Sequence, residues 1–408
     1  MKIALYHNLP SGGARRAMVE MTRRLVARGH TVDEICPETA ERSFLPLEGS
    51  VRQTVVLPFS PWGVLRHRVP LLTPYITALR LVLDMNFLAR LGKQAAQLID
   101  EGGYDLAFTH DCQLVQNPDV LRFLRTPALH YCHHGARSRL PGPPEDFAVN
   151  SSITERLKQA YYALPVWGYP RLRERRAAQN IRAAERVLTN SCSAQSTLRA
   201  AYGIESQVCY LGVDTERFRP LGVTREAFVL SVGAVHYFKG YRFLITALGQ
   251  LPAALRPPLL IAANSESPDE RAILEALAEQ HQVSLTIVRI TDDEALVSLY
   301  NRAAAFVYTP IMEPWGLTAV EAMACGAPVV AVAEGGVRES VNDGETGLLT
   351  PRDTAAFAAA LARVLADKSL AAQLGAAGVE RVKQLFTWER TVDHLEQHLV
   401  GVVNAHER

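Results

Sequence analysis

Cysteine is scarce and scattered: Cys36, Cys112, Cys132, Cys192, Cys209 and Cys325 include no C-x-x-C pair. Such spacing argues against a disulfide framework and suits reduced thiols in a cytoplasm. Charge of one sign is lacking too, with 43 Lys and Arg against 42 Asp and Glu, which argues against a general nucleic-acid binder. The longest apolar stretch, VPLLTPYITALRLVLDMNFLARL, is broken by Pro74, Arg80 and Asp84. It falls short of the roughly 20 apolar residues of a transmembrane helix. MKIALYHNLP opens directly on a strand, without a charged n-region and apolar h-region, so secretion is not expected. Solenoid-length repeats and low-complexity tracts are missing as well. What remains is a chain of 408 residues, 48% hydrophobic, able to bury a large core in two or three domains.

Short apolar runs alternate with helical patterns. KIALYH reads as a buried strand, SGGARRAMVEMTRRLVARG as a glycine loop and helix, and HTVDEIC as a second strand. This opening is Rossmann-like but lacks G-x-G-x-x-G. Gly12 and Gly13 can bring backbone close to a ligand at a helix start, or simply make a tight strand-to-helix turn; the loop alone does not choose. YDLAFTH, ALHYCHH and RVLTNS continue the alternation. The turn-rich CYLGVDTERFRPLGVTREA, with Pro220, reads as an interdomain linker. Beyond it AFVLSVGAV, PLLIAA, VSLTIVRI and AAFVYT are near-continuous apolar strands, as expected where both faces of a parallel sheet are covered. The expected organisation is α/β, with one Rossmann-like domain over 1–211, a linker over 212–225 and a second domain over 226–385.

The stretch EPWGLTAVEAMACGAPVV, Glu313 to Val330, carries two carboxylates into an otherwise apolar run. A helix starting near Leu317 would be buried all round, and a buried Glu321 needs donors that no helical neighbour supplies. Pro314 favours an extended Glu313. Gly316 then lets the amides of Gly316, Leu317 and Thr318 face an anion, phosphate above all. Eight helical residues span about 12 Å, too far for a glycosidase carboxylate pair. That reach suits a ligand with a phosphate centre and hydroxyl-bearing ends, as in a sugar nucleotide. Taken alone, the pair is equally well read as a core helix whose Glu321 is satisfied by a neighbouring loop.

E-P-W-G-L-T-A-V-E-A-M-A-C-G-A-P-V-V-A, followed by Gly335-Gly336 and N-D-G-E-T-G-L-L, closely resembles the donor-binding segment of the retaining glycosyltransferases of family 4. That resemblance implies the GT-B fold, two Rossmann-like domains facing each other across a cleft, with the first domain binding acceptor and the second donor. It implies that Glu313 contacts the donor sugar and Glu321 the ribose, and that the Gly12-Gly13 loop faces the acceptor and the donor phosphates. FTWERTVDHLEQHLV resembles the family's crossing helix, about 386–408, which returns to the N-terminal domain. Lys239-Gly240 opens a helix after SVGAVHYF. A lysine there opposes the helix dipole, which a bound pyrophosphate would compensate, and the family has a Lys-Gly at this place. Ala234 departs from the arginine found in many members, so a second phosphate cation would have to come from Arg242 or a nearby loop.

In HYCHHGARSR, strand alternation puts His130, Cys132 and His134 on one face and Tyr131 and His133 on the other. No second ligand pair at suitable spacing accompanies them, so no metal site is expected. The run resembles a family segment in which His133 takes the place of a histidine at the reaction centre and Arg137 that of an arginine facing the acceptor, while His134 and Gly135 replace threonine and proline. A merely packed histidine is the alternative. No DxD-like motif follows a strand, so fixed donors, Lys239 and the amides of Gly316, Leu317 and Thr318, would stabilise the leaving phosphate. The resemblance implies retention without a metal or cofactor, with a donor such as GDP-mannose or UDP-glucose as co-substrate and a glycan, lipid-linked or small-molecule acceptor. RLKQAYYALPVWGYPRLRERRAAQNIR mixes aromatics with arginines, the composition of a surface that meets anionic lipid headgroups or of a solvated helix pair; a cytoplasmic protein peripheral at the inner face of the membrane fits the first. A nucleotide-sugar epimerase and a non-catalytic nucleotide-sugar-binding partner are the alternative functions.

Overall fold

The computed structural model describes residues 1–62, 72–135, 168–290 and 292–406. The chain divides into two units. The first comprises Met1–Thr189, Gln195–Cys209 and Val392–Arg408, and the second Asn190–Ala194 and Tyr210–Thr391.

The first unit begins β1 (Lys2–Asn8), α1 (Gly13–Ala27), β2 (Thr31–Pro37), β3 (Gln53–Leu57), α2 (Thr73–Glu101), β4 (Leu106–Cys112) and β5 (Ala128–Cys132). A helix over 168–181, α3, precedes β6 (Arg186–Thr189). Then come α4 (Cys192–Tyr202), which starts in the second unit, and β7 (Gln207–Val208). All strand pairs are parallel, in the order β3-β2-β1-β4-β5-β6-β7. Every residue of β4 and β5 is buried, the signature of a sheet covered on both faces. β3 and the 29-residue α2 carry little sequence signal: VRQTVVL is short and polar at its start, and the apolar run of α2 is broken by Pro74, Arg80 and Asp84.

The second unit runs β8 (Glu226–Val232), α5 (Tyr241–Gly249), β9 (Leu259–Ala263), α6 (Pro268–Gln280), β10 (Leu285–Arg289), α7 (Asp293–Arg302), β11 (Ala303–Tyr308) and α8 (Leu317–Ala324). It continues β12 (Val329–Val332), α9 (Val337–Ser340), β13 (Gly347–Thr350), α10 (Thr354–Ala366), α11 (Lys368–Leu385) and α12 (Trp388–His406), whose residues from Val392 belong to the first unit. Its parallel sheet has the order β10-β9-β8-β11-β12-β13. The turn-rich 212–225 segment is packed into this unit. Arg225 donates to the carbonyls of Tyr300, Asn301, Ala303 and Gly326, and Leu221 N–H to Asn301 Oδ1.

Strand order reverses between β1 and β4 in one sheet and between β8 and β11 in the other. A crevice opens at such switch points, outside the carboxyl ends of the strands. Helix starts differ, although α2 and α9, away from the reversals, also lack a side-chain cap. After β9 and β10, away from the reversal, α6 and α7 are capped by Ser267 and Asp292 side chains. After β1, β8 and β11, at the reversals, α1, α5 and α8 have Gly12, Gly240 and Gly316 as N-caps, with no side-chain bond. First-turn amides at those three helices are thus left to something other than a cap.

Candidate active site

In the second unit two loops meet at the reversal. Lys239 ends the turn after β8, and Glu313 lies five residues past β11; Lys239 Nζ donates to Glu313 Oε2 at 2.7 Å. Backbone ties hold the loops together: Ile311 N–H to Phe238 O at 2.8 Å, and Thr309 Oγ1 to Lys239 O at 3.1 Å. Arg352, beyond β13, donates to the carbonyls of Thr309 and Pro310 while gripping both Glu334 oxygens at 2.8 Å. A third loop closes on the first carboxylate. Gly336 N–H donates to Glu313 O at 3.0 Å, and a Cβ on Gly335, whose φ is +66°, would fall 2.1 Å from that same carbonyl. Only glycine fits there.

Three residues on, Gly316 caps α8 at φ +87°, and a Cβ there would approach Tyr308 Oη to 2.8 Å. Leu317 and Thr318 supply first-turn amides with no carbonyl inside the helix to meet. Thr318 Oγ1 is itself buried without a hydrogen-bond partner. Such a group is costly unless something else fills its place. Buried Tyr308 and Tyr241 have phenols raised by burial and further by the Glu313 charge. Glu321, 3% exposed, sits one turn into α8, and Tyr300 Oη on α7 donates to its Oε2 at 2.9 Å. Tyr300 is the donor that no neighbour on α8 could provide, and its place in DEALVSLYNRA gave no signal, because its spacing is that of any buried helix position. Arg242 forms a two-point pair with Glu270 at 3.0 and 2.5 Å.

In the first unit Gly12 (φ +133°) caps α1, a Cβ there meeting nothing within 4 Å, and Gly13 is the first helical residue. Beneath this loop lies a buried network. His7 Nε2 meets Glu34 Oε1 at 2.8 Å, Arg15 Nη1 donates to that oxygen at 3.3 Å, and Thr54 Oγ1 to Glu34 Oε2 at 2.9 Å. Burial opposes the Glu34 charge, but the bonds from His7 and Thr54 and the Arg15 guanidinium hold its carboxyl at about 2. Burial lowers His7.

His133 follows β5 and is buried; its Nε2 lies 2.9 Å from His110 Nδ1, and its N–H donates to Asp111 Oδ2 at 3.0 Å. Burial pushes it down to about 3, so the ring is neutral near pH 7 and suited to orienting a hydroxyl rather than supplying charge. His110 and Asp111, at the end of β4 beside the reversal, were missed as site residues because THDC reads simply as the end of a buried strand. Arg137 and most of the aromatic and arginine-rich run lie outside the described residues. Within that run's described part, Tyr169 packs on the core, and Arg176 pairs with Asp119 at 2.7 Å. Among the described residues two trios offer metal-ligand atoms within 4.8 Å of one another: His7, Glu34 and Cys36, and Asp111, His130 and Cys132. Among the described residues no helix is long and apolar enough to cross a membrane.

Residues 11–217 match the family described as Glycosyltransferase Family 4, and residues 213–381 match Glycosyl transferases group 1. The chain belongs to glycosyltransferase family 4. A D-inositol 3-phosphate glycosyltransferase of Geodermatophilus obscurus is 31% identical over 94% of this chain and 84% of its own length. Sucrose-phosphate synthase from Thermosynechococcus elongatus is similar in structure, with a TM-score of 0.72 at 25% identity over 99% of both chains. The Anabaena HepE protein, solved in complex with UDP-glucose, superposes with a TM-score of 0.67 at 19% identity, covering 98% of this chain and 100% of its own. The two units therefore have the GT-B fold. In this family 4 glycosyltransferase, Lys239, Glu313, Gly316, Leu317, Thr318 and Glu321 all lie in the second unit, and Gly12, Gly13 and His133 in the first.

Proposed function

We propose that this glycosyltransferase moves a hexosyl group from a nucleoside-diphosphate sugar to a hydroxyl acceptor, with retention at the anomeric carbon and without a metal ion on the diphosphate. The observation that carries the reading is the joining of Lys239 and Glu313 beside the glycine-capped start of α8, where a cation, open amides and a carboxylate converge on one crevice. The diphosphate would take the Leu317 and Thr318 amides and the Lys239 ammonium; Glu313 would turn to the sugar hydroxyls and Glu321 to the ribose. In the reaction the bond from C1 to the β-phosphate oxygen breaks, and the bond from C1 to the acceptor oxygen forms on the same face. The acceptor proton passes to the departing phosphate oxygen. Charge building on that oxygen meets fixed donors, which need no reorganisation as it leaves. His133, a neutral ring, orients the acceptor hydroxyl, and Arg137 binds the acceptor.

A uridine donor is favoured by the UDP-glucose bound to HepE, with GDP-mannose the second candidate. A small phosphorylated polyol is the first acceptor to try, after the D-inositol 3-phosphate relative; a glycan or a lipid-linked sugar reached by peripheral membrane contact is the other class. The test is nucleoside diphosphate release from a panel of nucleotide sugars, with D-inositol phosphates or membrane extract added and with or without Mg²⁺ or Mn²⁺. Acceptor-dependent release that ignores the added ions, giving an α-linked product from an α-linked donor, is the expected result. Strict dependence on Mg²⁺ or Mn²⁺, or inversion in the product, would contradict the mechanism. Conversion of the free nucleotide sugar without transfer would indicate an epimerase, and tight binding without turnover a non-catalytic partner; neither alternative draws support from the relatives described above.

A further inference from the structure

The parallel register of β4 and β5 pairs Thr109 with His130, and two residues on it brings Asp111 level with Cys132, all four on one face of the sheet. A carboxylate oxygen of Asp111, a ring nitrogen of His130 and Cys132 Sγ come within 4.8 Å of one another, and all three residues are buried. Sequence spacing offered no partner for His130 and Cys132; the neighbouring strand supplies one. Asp111 Oδ2 is occupied by His133 N–H and His134 Nδ1. Oδ1 is buried with no hydrogen bond, and His130 Nε2 is 3.5 Å away. On the far side of that ring, Nδ1 lies 2.9 Å from Thr109 Oγ1, which donates onward to Leu129 O at 3.4 Å. With the ring proton on Nδ1 and Thr109 Oγ1 accepting it, the tautomer a metal ion would select, the Nε2 lone pair faces Asp111 Oδ1 and Asn117 Oδ1, the latter at 3.3 Å. In that tautomer three lone pairs converge with a thiol whose S–H otherwise reaches Gly135 O at 4.0 Å. An oxygen that fixes one ring nitrogen while the other points at such a set is the arrangement of a metal-bound histidine.

The first unit holds its own control. In the His7, Glu34 and Cys36 trio the Arg15 guanidinium already reaches the carboxylate, so a second cation would be repelled. Among the described residues no Arg or Lys pairs with Asp111, whose carboxylate faces the imidazoles of His130 and His134.

We infer that Asp111, His130 and Cys132 form a binding site for one thiophilic divalent cation of the zinc class, with Asn117 Oδ1 or water completing four-coordination. One carboxylate and one thiolate cancel the double charge, so the loaded site is neutral and tolerates burial. Thiolate with imidazole selects Zn²⁺ or Co²⁺ over Mg²⁺. The inference does not rest on the donor-side reading, whose residues lie in the other unit, but the site adjoins His133, whose N–H donates to Asp111 Oδ2.

Cobalt tests it directly. Chain dialysed against chelator and confirmed folded by circular dichroism is titrated with Co²⁺, and the thiolate-to-cobalt charge-transfer band is followed. We expect one equivalent bound with that band present, the band lost in Cys132→Ser and kept in Cys36→Ser. Thr109→Val, which leaves every ligand in place, should weaken Zn²⁺ binding by about 10- to 100-fold, the effect of losing the oxygen that orients a metal-bound histidine; it carries the test if Cys132→Ser does not fold. Absence of stoichiometric binding, a band that survives Cys132→Ser, or unchanged zinc affinity in Thr109→Val would overturn the site.

Discussion

Replacing Glu313 by glutamine should make the protein bind nucleoside diphosphate more tightly while it transfers sugar more slowly. Lys239 Nζ and Glu313 Oε2 lie 2.7 Å apart with side chains 14% and 26% exposed. The gross attraction at that distance is a few kcal/mol in a medium of intermediate dielectric. Desolvation and side-chain ordering cancel most of it, leaving about 1 kcal/mol for a pair still reached by water. A diphosphate that draws the ammonium onto itself must first give up that amount. Glutamine keeps the shape and removes the competitor, so the Kd for nucleoside diphosphate should fall by up to about fivefold. Turnover should fall because the sugar hydroxyls lose an ionised acceptor. Calorimetric titration at fixed ionic strength reads the first effect, and initial rates read the second. The double variant Glu313→Gln with Lys239→Ala closes the cycle: the gain in affinity must vanish when the lysine is absent. Diphosphate bound no tighter by Glu313→Gln, or a gain that persists without Lys239, would refute a shared lysine.

Lys239→Ala alone should cut turnover by roughly a hundredfold, about 3 kcal/mol of lost transition-state stabilisation; a near-normal rate would place that role elsewhere. Glu321→Ala should weaken both nucleoside diphosphate and intact donor. Tyr300→Phe, which strips the 2.9 Å donor from the buried carboxylate, should cost about 1.5–3 kcal/mol of unfolding free energy, read from the urea midpoint. Gly335→Ala should abolish sugar transfer, because its Cβ meets the Glu313 carbonyl at 2.1 Å; wild-type rates would show that this loop gives way. Acid should destabilise the first unit. Glu34 ionises at about 2 in the fold against 4.5 ordinarily, so its contribution, about 3 kcal/mol, is present above pH 4.5 and lost as pH falls toward 2. Buried His7, lowered from 6.5, adds a loss in the same direction that begins below pH 6.5. Glu34→Gln should flatten the acid limb of unfolding midpoint against pH, and an unchanged limb would contradict this.

The alternating apolar runs made both sheets legible, since buried parallel strands leave few polar positions to confuse the pattern, and Pro314 and Gly316 placed the start of α8 closely. Glu313, Glu321 and Lys239 could be named because each breaks a local rule: a carboxylate among apolar neighbours, or a lysine at the wrong end of a helix. Tyr300, Arg352 and Asp111 break none. A tyrosine on a buried helix face, an arginine in a loop and an aspartate at a strand end are ordinary in sequence, and only the sheet order brings them to their partners. Register did the same for Asp111 and Cys132, whose side chains meet through strand pairing across 21 residues.

The first unit is built from pieces separated by the whole of the second. Arg28 and His30 are held by Glu396, at 2.9 and 2.8 Å, and Arg186 donates to the His398 carbonyl. Leu395, Leu399 and Val402 are buried. During synthesis those partners emerge after residues 210–391, so the usual order in which the N-terminal domain folds first is unavailable here. The nascent sheet must wait, with its docking face uncovered, until the rest of the chain has been made. A gene fragment ending near residue 211 would therefore yield an incomplete unit, and dissecting the enzyme into halves requires grafting residues 392–406 back onto the first.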